Sequence, residues 1–306
     1  MAPSTHSTGS TSVWSDEQLQ EVAQKLYTPI RTWQTRIIRL QPGQPSDILK
    51  ADLLVAGLIQ DDGLVLGMDE EPVAFEAISY SWGAPDACVD IVIDGLEYRI
   101  HQSLADALRR FRYDRHERYL WADALCINQV DLAEKSQQVQ NMFRIYRKAK
   151  SVLVWLGSET ADLASALEVL YEEAIGIAEA TEDDRSETST SASSADTGPV
   201  SQFETVIPSA EPNTALLARE INALHDLCTR AWIRRVWVQQ EIFAATDVRV
   251  FCGRSELDLD RLKRAAAVLS SKVEDRGTSD WPSQPELEIA RRLVILIFTN
   301  SKADET

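Results

Sequence analysis

Apolar positions recur along this chain with two periods, and the first is helical. In Asp16–Tyr27, Leu19, Val22, Ala23 and Leu26 fall three or four residues apart behind Ser15, a residue type that caps helix N-termini, so the spacing predicts a short helix. Arg36–Leu40 and Ile48–Ile59 are apolar stretches broken by Pro42, Gly43, Pro45 and Gly57, and Asp61, Asp62 and Gly63 mark a further turn. They read as strands or short helices leading in. Phe75–Tyr80 is a short apolar run closed by Gly83 and Pro85, which predicts a buried strand whose C-terminal end opens into a loop. Val89–Ile93 and Leu96–Ile100 flank Asp94-Gly95, a dipeptide suited to the positive φ angles of a tight turn, so a β-hairpin is expected there.

Beyond the hairpin, Ser103 is placed to cap a helix that has Leu104, Ala107, Leu108 and Phe111 on one face. Arg109, Arg110 and Arg112 fall largely on the other, as a solvated face or a phosphate-binding one. Tyr119–Ala122 is the next strand. Asp131 and Glu134 resemble a capping box at the start of a long helix with Val139, Met142, Phe143, Tyr146 and Ala149 as its stripe, and Ser151–Leu156 is a continuous apolar strand ended by Gly157. After a polar interval, a helix is expected at 214–229, then the segment Ala231–Ala245, a strand at Val248–Cys252 closed by Gly253, and helical patterns at 258–270 and 286–299. Strand, helix, strand, helix, strand argues for an α/β fold. The sheet is expected to be central and mainly parallel, of about five strands, with helices on both faces, a β-hairpin insertion and extra C-terminal helices.

Charge sharpens the domain picture. Of 306 residues, 31 are Lys or Arg and 48 are Asp or Glu, a formal net charge of −17, with 44% hydrophobic; this excludes a wholly disordered chain and argues against nucleic acid as a partner. The acidity concentrates in Glu159–Glu211, where 13 acidic residues face one basic residue, Arg185. Overlapping it, 181–213 is too poor in apolar residues to offset the entropy of ordering and reads as a disordered insertion. The expected organisation is therefore a disordered arm (1–14), lead-in elements (15–74), a principal domain (75–255) holding that insertion, and C-terminal helices (256–306). No segment approaches the roughly 20 apolar residues of a membrane span, and the start lacks a secretory signal. With four widely spaced cysteines, the expectation is a cytoplasmic protein.

These segments carry a family pattern. AISYSWG (Ala77–Gly83), LWADALCINQ (Leu120–Gln129), the run Asp131–Gly157, WIRRVWVQQEI (Trp232–Ile242) and FCG (Phe251–Gly253) resemble, in order, the heterokaryon incompatibility (HET) domain of filamentous fungi. There are small departures: Ala122 stands where that family usually has Ile, and Lys135 where it usually has Arg. The resemblance implies an effector of nonself-triggered programmed cell death, with a separate sensor protein or self-association as the partners to expect. HET domains in turn look distantly similar to Toll/interleukin-1 receptor (TIR) domains, flavodoxin-like units of which some cleave NAD. On that likeness the strand ending in Ser79 and Tyr80 corresponds to the first TIR strand, and Trp237, Val238, Glu241 and Ile242 to the segment carrying a catalytic glutamate.

The chemistry that likeness implies is a carboxylate, Glu241, stabilising ribosyl cation character as a glycosidic bond breaks, with NAD as substrate and no cofactor. Loops at the C-terminal ends of parallel strands place Ser81, Trp82, Gly83, Asp123, Asn128 and Gln129 on one substrate-binding rim, with Arg235 and Trp237 beside Glu241. The competing account gives Glu241 an ion pair with Arg234 or Arg235 that anchors a helix, makes Asp123, Asn128 and Gln129 turn formers, and packs Trp82, Trp121, Trp155, Trp232 and Trp237 in the core. Two further chemistries are weighed: a Cys126 nucleophile served by His101 or His116 with Asp123, and a zinc site from His225 and Cys228, which supplies only two ligands. No metal is expected.

Overall fold

The computed structural model describes residues 15–58, 64–66, 71–84, 86–158, 226 and 229–257. The arm 1–14, the insertion 181–213, Pro85, the pair His225 and Cys228, and the helices expected at 214–229, 258–270 and 286–299 lie wholly or mostly outside them. The chain divides into two compact units, Met1–Gly157 with Arg235–Glu256, and Ser158–Arg234 with Leu257–Thr306. In the second, Arg230 donates to the Ser158 carbonyl at 2.7 Å and pairs with Asp226 at 2.8 Å.

The first unit opens with α1 (Asp16–Leu26), closed at its start by the expected cap: Ser15 accepts from the Gln18 amide while the Gln18 side chain accepts from the Ser15 amide. Strands β1 (Gln34–Leu40), β2 (Lys50–Leu58), β3 (Leu64–Leu66) and β4 (Glu71–Val73) follow, then β5 (Glu76–Tyr80) and the hairpin β6 (Cys88–Ile93) and β7 (Leu96–His101). Asp94 and Gly95 turn that hairpin with φ of 50° and 79°, the left-handed pair that matches strand twist. Next come α2 (Gln102–Phe111), β8 (Arg118–Trp121), α3 (Asp123–Cys126), α4 (Leu132–Lys148) and β9 (Val152–Trp155). After residue 234, α5 (Val238–Ala244), β10 (Val248–Cys252) and β11 (Ser255–Leu257) complete the described elements.

The fold is α/β, with a mixed sheet. Its strand order is β11-β10-β9-β5-β8-β1-β2-β3-β4, and the β6–β7 hairpin attaches to β2. The expectation of a mainly parallel sheet holds for the block β10-β9-β5-β8, and β6 also runs parallel to β2; β8 with β1, β1 with β2, β2 with β3 and β3 with β4 are all antiparallel. The cause is connection length. Strands separated by a helix can cross over and run parallel, whereas the short links joining β1 to β4 can only reverse.

Helices lie on both faces of the parallel block. Register places Tyr80, Trp155 and Phe251 side by side on one face, where Phe111 of α2 meets Trp155 and Phe251 edge-on at 6.2 and 5.0 Å. On the other face, Tyr146 of α4 packs edge-on against Trp121 at 5.5 Å, and α5 packs against α4. Three local expectations are corrected. Ser103 does not cap α2, which begins at Gln102 after His101. Arg112 is buried rather than solvated, donating to the Gln44, Asp47 and Ile48 carbonyls. Phe143 is exposed, because the buried stripe of α4 runs through Gln138, Met142, Ile145 and Tyr146. Among the described residues no helix is long and apolar enough to cross a membrane.

In chain order the parallel block reads second, first, third, fourth. The chain leaves β5 toward β8 on one side and β9 toward β10 on the other, and sheets with such a switch point bind ligands beyond the C-terminal ends of the strands that flank it.

Candidate functional site

The residues at those strand ends begin with Ser79, a lone hydroxyl in the otherwise apolar tail of β5. It points to the α4–α5 face and donates a short hydrogen bond to Glu241 Oε2. Glu241 reaches it because α5 is amphipathic: Val238, Glu241 and Ile242 share the buried stripe, while Gln239, Gln240 and Phe243 face outward. The glutamate is thus carried inward by the same periodicity that buries its apolar neighbours, to 1% exposure. Arg235 compensates the charge, its Nη2 donating to Oε1 at 3.1 Å and its Nη1 reaching Oε2 at 3.5 Å. Burial raises the carboxyl above its ordinary pKa, opposed by the Arg235 guanidinium and the Ser79 hydroxyl and reinforced by the negative charge of Asp123.

A second group lies at the ends of β5 and β8. Asp123, the first residue of α3, accepts from the Trp82 indole at 3.0 Å and from the amide of Ala124 at 2.8 Å. Gln129 folds back to donate to the Asp123 carbonyl at 2.9 Å, and Asn128 accepts from the Val130 amide at 3.3 Å. The Trp82 ring rests against His101, centroids 5.6 Å apart. Tyr80 is buried, and the pKa of its hydroxyl is raised by desolvation and then by Asp123. Gly83, with φ of 79°, takes the left-handed turn out of β5.

The structure therefore joins Glu241 to Arg235 through the ion pair, and both Trp82 and Gln129 to Asp123 by direct bonds; the charge of Asp123 acts on Glu241. Ser81 and Gly83 sit between them along the chain. Trp237 stands apart: 45% exposed, it contributes its carbonyl to the first turn of α5. Trp121, Trp155 and Trp232 are core residues. Ser79, Tyr80, Arg36 and Glu134 escaped the list of site candidates, although a serine inside the apolar string FEAISY was a visible signal. Cys126 does not suit a nucleophile: complete burial pushes its thiol up to about 12, so it stays protonated at neutral pH, and the rings of His101 and His116 pack on Trp82 and Tyr113.

A profile of the family described as Heterokaryon incompatibility protein (HET) matches residues 75–241, more than half of the sequence. This chain belongs to the HET family. The matched segment starts just before β5 and ends on Glu241, so the Ser79–Glu241 hydrogen bond ties its two ends together across the HET domain. Heterokaryon incompatibility protein 6, OR allele, of Neurospora crassa is 30% identical over 246 residues, covering 70% of this chain and 34% of that protein. The chain thus spans about a third of the length of the curated relative it matches. No solved structure matches.

Proposed function

We propose that this HET chain acts in fungal heterokaryon incompatibility, as a cytoplasmic effector of nonself-triggered cell death that cleaves NAD or a related nucleotide. The observation that carries the enzymatic part is the buried, charge-compensated Glu241 on Ser79, at the C-terminal end of the strand where the connections diverge. Two features support it further: the second-first-third-fourth order of the parallel block is that of flavodoxin-like sheets, to which TIR domains belong, and Asp123 and Trp82 stand at the neighbouring strand ends.

In this reaction the bond from the ribose anomeric carbon to the nicotinamide nitrogen breaks, and its electron pair neutralises the pyridinium ring. Water then adds to the ribosyl cation and loses a proton. Nicotinamide needs no protonation to leave, so one carboxylate suffices. Glu241 supplies negative charge in a low-dielectric setting, where it acts most strongly on the developing cation. Ribose hydroxyls take over the bond that Ser79 or Arg235 makes here, while Ser81–Gly83, the Asp123–Gln129 turn and Trp237 contact the rest of the nucleotide.

The test is nicotinamide release from NAD by the purified 306-residue protein. Release that falls about 10²-fold in Glu241→Gln supports the reading; release unchanged by the substitution removes Glu241 from the mechanism. A second reading has its own observation. Glu241 is 1% exposed and gripped by Arg235, as a helix anchor would be, and Phe143 and Phe243 meet in the open at 6.5 Å. On that account the domain signals by self-association, and a concentration-dependent dimer with no nicotinamide release favours it.

A further inference from the structure

The turn from Asp123 to Gln129 is held at three backbone points by side chains from other elements. Tyr27 Oη donates to the Leu125 carbonyl at 3.1 Å, Arg36 Nη1 donates to the Cys126 carbonyl at 3.2 Å, and the Asn128 amide donates to Glu134 Oε1 at 2.9 Å. The three holders are themselves locked together. Arg36 grips Glu134 with both terminal nitrogens, at 2.5 and 3.0 Å, donates to the Thr28 carbonyl at 2.7 Å, and lies over the Tyr27 ring at 4.9 Å. Glu134 does not complete the expected capping box; Asp131 alone caps α4, and the glutamate is spent on the arginine and the turn.

We propose that Tyr27, Arg36 and Glu134 are positioning residues that set where Asp123 meets the Trp82 indole, so that the working unit of this HET domain starts before Phe75. Tyr27 and Arg36 both precede the matched segment. Arg36 is 1% exposed, and its planar fork serves a carboxylate and two carbonyls at fixed angles that a lysine ammonium does not reproduce. The link to Asp123 is short and stiff: the Cys126 amide donates to the Ala122 carbonyl at 2.8 Å, and that one turn of α3 connects the gripped carbonyl to the carboxylate. The inference rests on the reading that this turn belongs to the substrate face, but its test does not depend on activity.

In the full chain labelled with nitrogen-15, the Trp82 and Trp155 indole N–H resonances are assigned with Trp82→Phe and Trp155→Phe, then followed in Arg36→Lys and Tyr27→Phe. The expected result is a shifted or broadened Trp82 resonance in both variants, larger in Arg36→Lys, with Trp155 unmoved. A role in stability alone lowers the denaturation midpoint and leaves Trp82 in place, which overturns the proposal; so does a shift of both indoles together, the mark of general loosening. Should Arg36→Lys fail to fold, Tyr27→Phe decides, because it keeps ring and charge and deletes only the hydroxyl, with its bonds to the Leu125 carbonyl and to Tyr98. Nicotinamide release by the wild type is scored separately, so a dead enzyme with a correctly responding Trp82 refutes the catalytic reading and spares this one.

Discussion

Among the described residues of the first unit three arginine–glutamate pairs are largely buried, Arg36–Glu134, Arg118–Glu76 and Arg235–Glu241, and the first and last of these are built differently. In Arg36–Glu134 the arginine is the enclosed partner, with side-chain exposures of 1% and 11%, and the pair extends into backbone carbonyls and an amide. In Arg235–Glu241 the carboxylate is enclosed at 1% and the arginine, at 21%, reaches toward solvent through longer contacts of 3.1 and 3.5 Å. A pair whose cation is sealed and whose remaining hydrogen bonds go to the main chain acts as a clamp. A pair whose anion is sealed behind a partly exposed cation has one partner that solvent or a polar ligand can reach, which is what the chemistry proposed at Glu241 requires.

The largest expected effect tests the clamp. Arg36→Met leaves Glu134 without its cation in a largely buried place and is expected to cost about 3–5 kcal/mol, read as a loss in the urea unfolding midpoint. Arg235→Met is expected to cost less, about 1–3 kcal/mol, because Glu241 can take up a proton. Equal losses at the two sites would erase the distinction. Ser79→Ala removes a bond to a charged acceptor and is expected to cost about 2 kcal/mol while raising the Glu241 pKa further. A Ser79→Ala protein as stable as wild type would mean the hydroxyl contributes little to the pair.

A pH series sharpens the comparison at smaller scale. Because Glu241 has a higher pKa folded than unfolded, the folded state binds more protons between the two values; its favourable contribution is complete below the unfolded pKa and is lost as pH rises through the folded one. Wild type should therefore lose stability relative to Glu241→Gln as pH climbs through that window. A parallel pair of stability curves would show that burial leaves the carboxyl unshifted. The smallest effect is expected for Trp82→Phe, about 0.5–1.5 kcal/mol for one half-buried hydrogen bond to Asp123, measured by thermal or chemical denaturation.

Much of this organisation was legible locally. The Ser15 cap, the Asp94-Gly95 hairpin, the strands at Phe75–Tyr80, Tyr119–Ala122, Ser151–Leu156 and Val248–Cys252, and the ion pair available to Glu241 all follow from residues a few positions apart, whose spacing is dictated by helix and strand geometry. The mixed sheet was less legible, since the strand-helix alternation from Phe75 onward says nothing of how β1 to β4 attach. Phe143 was misplaced because periodicity marks a stripe without saying which of its edges meets the sheet.

What the amino-acid order determined by itself is therefore most of the described elements, the Ser15 cap and the Asp94-Gly95 turn, and the HET signature. Only the tertiary structure decided that Ser79 meets Glu241 across 162 residues and that Arg36 meets Glu134 across 98. The physical reason is that such pairs form no periodic pattern along the chain. They are selected by which faces the sheet register and the helix crossings bring together, and a buried charge keeps its place only where that packing supplies its partner.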